Sequence, residues 1–415
     1  MATALEGIRM IEVSSFHNGT AGGYMLSDLG AEVVKVEPPN GGDPYRAGES
    51  AVGLAGGGFS SFFEVSNRGK QSLALDLSKD EGRAILYRLV DVSDVFLTNY
   101  SDRVLDNLGI DWETLRARNP RLIYLRATGF GSRGPARKAR DFDPTAQARS
   151  GLMWVVGDRD HDEPWQLMGA IVDQLGATMA AYHIMAALLA RDRHGIGQYV
   201  ETSLLGSALH LQAINVNWAL QHGRAISRHS RKRARNPLSN HYRCADDKWI
   251  MLSDPQPDRF WSQLCTLLGL GAVVANDPRF STVAERRNNC LACNELLERA
   301  FLAKPRDEWL ALFEEEGAGF AYAPIYDLEE AVNRPEAREN GYVTEYDHPI
   351  AGRVRAIGFP GYLSATPAVV AGPAPELGQH TRQILRDWLG CGDEEIARLE
   401  AAGVCRGAPT PTAVG

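Results

Sequence analysis

Short apolar runs alternate with amphipathic stretches through the first half of the chain, and the alternation predicts strands and helices in turn. Residues 8–14 read as a buried strand and 19–29 as a helix. A second strand over 31–37 ends at Pro38 and Pro39, which cannot donate to a ladder. Residues 72–77 are strand-like, and 78–92 read as a helix with Asp80 and Glu81 in its first turn, where the helix dipole favours negative charge. Residues 95–98 and 122–127 are further strands, separated by a helix containing 113–118. The fold class is α/β.

From Gln174 to Ala190 no residue carries a formal charge, and alanine, leucine, isoleucine and methionine dominate, which predicts a long helix. Asp173 stands at its start. A helix beginning there aims its unpaired N–H groups and positive dipole end at the carboxylate, which keeps it ionised beside donors able to hold an anion. That arrangement suits a carboxylate nucleophile and equally suits a plain N-cap.

The pattern changes at 225–235, where Arg228, His229, Arg231, Lys232, Arg233 and Arg235 cluster; the segment reads as an exposed linker rather than a nucleic-acid patch. Beyond it, 241–252 predict a strand pair turning at Asp246-Asp247, and 260–268, 288–302 and 306–316 predict helices. Residues 225–330 therefore form a smaller α+β domain after a large domain over 1–224. The remainder, 331–405, carries two strand-like runs and a helix over 381–389, and 406–415, rich in Ala, Pro, Thr and Gly, reads as a disordered tail.

The chain has 415 residues, 44% hydrophobic and 23% charged, with net charge −8. This is ordinary for a soluble globular protein and gives no basis for general adhesion to nucleic acid or acidic membranes. The uncharged helix is too short to span a bilayer comfortably and is interrupted by His183. With no leader-like N-terminal pattern, a cytoplasmic location is expected. Six cysteines are too few for a disulfide scaffold. Cys290 and Cys293 form a C-x-x-C without the second pair or βαβ setting that zinc or redox chemistry needs, and no other metal-ligand cluster stands at zinc spacing.

Gly129-Phe130-Gly131-Ser132-Arg133-Gly134 matches G-x-G-x-x-G after a strand. Pro135 and a charged run follow it instead of an apolar helix, so it is a glycine-rich loop with another task and not a dinucleotide fingerprint. No G-x-S-x-G elbow is present, and the ten histidines are scattered, which argues against a serine hydrolase.

An ordered set of separate pieces remains. It begins with Glu6-Gly7-Ile8-Arg9, then 29–39 (LGAEVVKVEPP), Gly42-Asp43-Pro44 with Arg46, and Asn67-Arg68-Gly69-Lys70 with 72–77. It continues with 120–124 (PRLIY), Gly134-Pro135, Gln147-Ala148, Ser150-Gly151, 195–200 (GIGQYV), His348-Pro349, Leu377-Gly378 and His380-Thr381. Across nearly all of 5–405 the chain resembles the family III CoA-transferases, the group that includes the formyl-CoA, carnitine and phenyllactate CoA-transferases.

The resemblance implies a Rossmann-like large domain built from both chain ends, a small domain between them, and an interlocked homodimer. Asp173 falls on the family's catalytic aspartate. The implied reaction moves CoA from an acyl-CoA to a carboxylic acid through an aspartyl anhydride and an aspartyl-CoA thioester, with CoA as substrate and no permanently bound cofactor. Backbone N–H groups at the helix start would steady each oxyanion. His17 occupies the position of a pocket-lining glutamine in some members, or is a structural histidine. Leu75, Asn99, Tyr100, Leu108 and Arg140 match CoA-lining positions, and Asp143 either orders the catalytic loop or caps the segment from Pro144 onward. Residues 236–250 resemble the small domain of members that handle larger acyl groups, for which Trp154, Trp165 and Trp218 are candidate pocket walls.

The chain also departs from the family pattern. Thr20 stands where proline is common, and Asp141-Phe142-Asp143 replaces Gly-Tyr-Asp. The small domain lacks the glycine run that closes over the formyl-CoA enzyme's site, and Gly56-Gly57-Gly58 reads as a surface loop. An α-methylacyl-CoA racemase on the same fold is the alternative. Such racemases pair the aspartate with a histidine, and Phe142, which stands at that position, cannot carry a proton.

Overall fold

The computed structural model describes residues 2–52 and 59–407; the glycine run 56–58 and the tail beyond 407 lie outside them. The chain separates into two compact units, one of 1–153, 166–224 and 336–415, the other of 154–165 and 225–335.

The first unit is built on a seven-stranded sheet. Its strands are β1 (Arg9–Val13), β2 (Glu32–Glu37), β3 (Gln71–Leu75), β4 (Val95–Thr98), β5 (Ile123–Thr128) and β6 (Gln198–Ser203), joined by the last strand of the chain, Cys405–Arg406. From the edge the order is Cys405–Arg406, β3, β2, β1, β4, β5, β6. All neighbours are parallel except the terminal strand, which runs antiparallel to β3. Arg406, at the head of the expected disordered tail, is thus part of the sheet: Val404 and Cys405 bury their side chains, which holds this segment in place.

Because β1 lies between β2 and β4, successive connections leave it on opposite sides, and a crevice opens above the carboxyl ends of β1 and β4. Both sheet faces are covered. Ile11, Val34, Leu73, Phe96 and Tyr124 pack with the Asp80–Asp91 and Thr381–Leu389 helices on one side. On the other, Met10, Val33, Leu97 and Leu125 meet the apolar side of the Ile171–His194 helix. That helix lies close against the Thr20–Asp28 helix because Gly22 has no side chain: a Cβ there would come within 2.9 Å of the Ala177 carbonyl oxygen. A hairpin of Val343–His348 and Gly352–Ile357 completes this unit.

The second unit has a three-stranded antiparallel sheet of Ser239–Arg243, Trp249–Ser253 and Tyr322–Ile325. Tyr242, Trp261, Phe301, Trp309 and Phe313 centre its core. The 225–235 segment, expected as an exposed linker, packs into this unit: Ser230 and Ala234 are buried, and Arg231 lies over the Trp249 ring. Residues 154–165, expected in the large domain, also group here, carrying exposed Trp154 and Trp165. The expected helix over 288–302 is present as Cys290–Phe301, preceded by a separate short helix, Val283–Asn288. Within the latter, burial pushes the Cys293 thiol up to about 12, the behaviour of a packing residue. Among the described residues no cluster could hold a metal ion and no helix is long and apolar enough to cross a membrane.

Candidate active site

The long helix begins at Ile171, so Asp173 is its third residue and not its cap. Two left-handed residues, Gly169 (φ 88°) and Ala170 (φ 54°), turn the chain into it. For alanine this conformation costs about 1 kcal/mol. The capping comes from a distant residue. Asp143, 5% exposed, accepts from the Val172 N–H at 2.7 Å and the Asp173 N–H at 3.1 Å through one carboxylate oxygen. Its other oxygen accepts from Gln147, whose amide is itself anchored to the Leu167 backbone. The Gln174 N–H is spent on the Ala170 carbonyl. The N–H groups of 172–174, expected to steady an oxyanion, are therefore already engaged.

This arrangement changes the charge state expected at Asp173. Burial, reinforced by the negative charges of Asp143 and Asp141, pushes its carboxyl up to about 7. The dipole that was expected to keep it ionised is already answered by Asp143.

Asp173 opens into a cavity of about 550 Å³ at the crevice above β1 and β4. Ser15, Phe16 and Asn18 from the loop after β1, Asn99 and Tyr100 from the loop after β4, and Asp141 and Phe142 line it. The Asn99 amide stitches the two loops together, donating to the Ser15 and Asn18 carbonyls at 2.6 and 2.9 Å and accepting from the Ser15 N–H. A second cavity of about 590 Å³ shares Asn99, Tyr100, Ser101, Ala127 and Asp141 with the first and is lined by Arg103, Arg126, Arg137 and Lys138 together with Asp102 and Asp106. Arg126 is paired with Asp102. The remaining three cations suit phosphate oxygens. The glycine-rich loop contributes Gly129 and Phe130 to this wall.

His17 is buried, with Nε2 2.7 Å from the Gln174 side-chain Oε1 and Nδ1 2.8 Å from the Ser66 hydroxyl. Burial holds its pKa below the ordinary value against the Gln174 hydrogen bond. The ring is thus neutral, with Nε2–H donating to Gln174, and it lies behind the helix start instead of among the lining residues. Of the expected CoA-lining residues, Asn99 and Tyr100 face the cavities. Leu75 is a core residue of β3, Leu108 packs against that same core, and Arg140 is exposed outside both linings. None of Trp154, Trp165 and Trp218 lines the Asp173 cavity.

Below the β1 loop lies a group of charges fully removed from water. Glu12 bridges Lys35 (3.1 Å) and Lys70 (2.7 Å), and Lys35 reaches Asp43 at 2.9 Å. Two cations and two carboxylates balance. Burial lowers Lys70 to about 8, while Glu12 holds it up against that loss. Asp43 accepts from the Phe16 and Tyr45 N–H groups at 3.2 and 2.9 Å, fixing Phe16 in a left-handed conformation (φ 63°) at the cavity wall. Neither Phe16 nor Asp43 was singled out by sequence pattern as a site residue; the Gly42-Asp43-Pro44 turn was the available signal.

A model of CoA-transferase family III matches residues 5–381, and the chain belongs to that family. It is 32% identical over 406 residues to succinyl-CoA–D-citramalate CoA-transferase of Chloroflexus aurantiacus, spanning 96% of this chain and 98% of that protein. It is 31% identical to succinyl-CoA:glutarate CoA-transferase of Mus musculus, over 96% of this chain and 90% of that one. A crystal structure of a CAIB/BAIF family protein from Brucella suis superposes with TM-score 0.83 at 30% identity, over 94% of this chain and 100% of that chain.

Proposed function

We propose that this enzyme is a CoA-transferase of EC 2.8.3 type, moving CoA from an acyl-CoA to a carboxylic acid by covalent catalysis on Asp173. The observation that carries the proposal is the placement of one helix-start carboxylate in a crevice continuous with a cation-lined groove. Arg103, Arg137 and Lys138 hold the phosphates of CoA, which brings its thioester to Asp173 and keeps the thiol there between steps. Such confinement contributes up to ~7–11 kcal/mol in favourable cases.

Ionised Asp173 attacks the thioester carbonyl, forming the acyl-aspartyl anhydride and releasing CoA thiolate. The thiolate attacks the aspartyl carbonyl, the donor acid leaves, and an aspartyl-CoA thioester remains. The acceptor carboxylate attacks this thioester to give a new anhydride, and the thiolate then takes the acceptor acyl group and frees Asp173. Asp143 positions the helix start, and His17 positions Gln174 beside the nucleophile.

The same site with Asp173 as an α-proton base would be a racemase, and a pKa of about 7 suits that work. Racemisation needs a proton carrier on the opposite face, and Phe142 supplies none. Isotope partitioning separates the two: transfer predicts labelled acid entering the acyl-CoA pool without exchange of the α-hydrogen in deuterated buffer. Exchange without acid incorporation would establish the racemase.

The functional unit is an interlocked homodimer. The Ala213–His222 helix has no buried residue although it carries Ile214, Trp218 and Leu220, and Tyr182, Met185 and Leu189 are exposed on the long helix. Such an apolar surface suits a second copy. The six cysteines are unpaired, in keeping with a reducing cytoplasm.

A further inference from the structure

The CoA-transfer proposal leaves the acyl group open, and the lining of the Asp173 cavity narrows it. Phe16 and Phe142 are 42% and 61% exposed, large for aromatic rings, and they meet edge to face at 6.4 Å on the cavity wall. Phe16 is held there by the Asp43 carboxylate and by the Tyr45 ring at 5.4 Å. Two fixed rings offered to solvent beside a nucleophile form a surface that gains by being covered with hydrocarbon.

The charges of the cavity point the same way. Its only charged lining residues among those described are Asp141 and Asp173; no lysine, arginine or histidine lines it. Asp141 has no cationic partner among the described residues. It is admitted because Gly129 lacks a side chain: a Cβ there would fall 2.2 Å from that of Asp141. A second carboxylate on a substrate packed against the two rings would lie near these carboxylates, with the cations confined to the adjoining groove that the CoA phosphates fill, at a cost in both desolvation and repulsion. An uncharged acyl chain meets neither cost.

Resting on the CoA-transfer proposal, we infer that the acyl group exchanged at Asp173 is uncharged and apolar, that of a branched or aromatic monocarboxylic acid packed on Phe16 and Phe142. Asp141 is the residue that disfavours dicarboxylates. In this the chain departs from the Chloroflexus and mouse relatives, whose names carry succinyl, citramalate and glutarate.

The full-length enzyme tests this with two thioesters of similar size, glutaryl-CoA and 5-methylhexanoyl-CoA, in which an isopropyl group replaces the far carboxylate. Loading of Asp173 is followed as hydroxamate after a hydroxylamine quench. The apolar thioester should load about tenfold faster or more, and Asp141→Asn should narrow the ratio by raising glutaryl loading. Glutaryl-CoA loading as fast as its partner on the unmodified enzyme overturns the inference and leaves CoA transfer standing. An unchanged ratio in Asp141→Asn overturns the role given to Asp141. Loading from neither thioester overturns this inference, and CoA transfer itself then stands or falls on a wider panel of acyl-CoAs.

Discussion

The elevated carboxyl of Asp173 makes a sharp prediction for pH dependence. Burial pushes it up to about 7 against an ordinary 3.8, and in the proposed reaction only the ionised form attacks. About 1% is ionised at pH 5 and about 90% at pH 8, so the acylation rate rises roughly ninetyfold between them; an ordinary carboxylate would change by less than about a tenth. Quenched-flow measurement of CoA release in a single turnover reads this directly. Asp141→Asn should move the midpoint down only in part, because burial is the largest cause of the shift. Linkage gives the matching stability effect. The folded pKa is raised, so the folded protein keeps a proton that the unfolded chain releases above about pH 4, and the penalty grows until pH 7 and then holds. Its ceiling is about 4 kcal/mol, and the part gained between pH 5 and pH 7 is about 2–3 kcal/mol. Asp173→Asn should therefore stabilise the protein more at pH 8 than at pH 5 in urea titrations. A flat acylation rate from pH 5 to 8, with equal stabilisation at both pH values, would refute the reasoning.

Other perturbations separate the supporting parts. Asp143→Ala leaves the Val172 and Asp173 N–H groups without their acceptor; it should cost about 1–3 kcal/mol in denaturant melts and move the pH midpoint of acylation downward. Glu12→Gln removes a carboxylate from the buried ion cluster, leaving Lys35 and Lys70 under-compensated; a loss of about 3–5 kcal/mol is expected, read as a lower urea midpoint. The double variant Arg137→Ala/Lys138→Ala should raise the KM for acyl-CoA by roughly tenfold or more, with a weaker salt dependence of binding by calorimetry.

The parts of this fold with local periodicity were legible in the chain. Five of the six parallel strands read clearly because short apolar runs are bounded by glycine, proline and charge, and the Thr381–Leu389 helix was delimited as observed, whereas β6, with polar Gln198, Glu201 and Thr202 in it, carried no strand signal. Asp173 stood out through the uncharged helix behind it. Its protonation did not, because the capping carboxylate comes from Asp143, 30 residues away in sequence, and only the fold brings the two together. Arg140 matches a CoA-lining position of the family, yet Arg137 and Lys138 of the same charged loop line the groove, because the path of that loop decides which side chains face it. Phe16 lacked any pattern of its own, and Asp141 showed only as a departure from the family's Gly-Tyr-Asp. One is held by a carboxylate beyond the next strand, and the other is admitted by Gly129, a glycine read at first only as part of a motif that failed.

Mass spectrometry of the Asp173 peptide reads covalent catalysis at this carboxylate without an intervening assay. The enzyme is mixed with a panel of acyl-CoAs and quenched in hydroxylamine. A hydroxamate is expected on Asp173 and absent from Asp173→Ala, which also loses CoA exchange. An unmodified Asp173 across the panel, with CoA exchange persisting in Asp173→Ala, would contradict it.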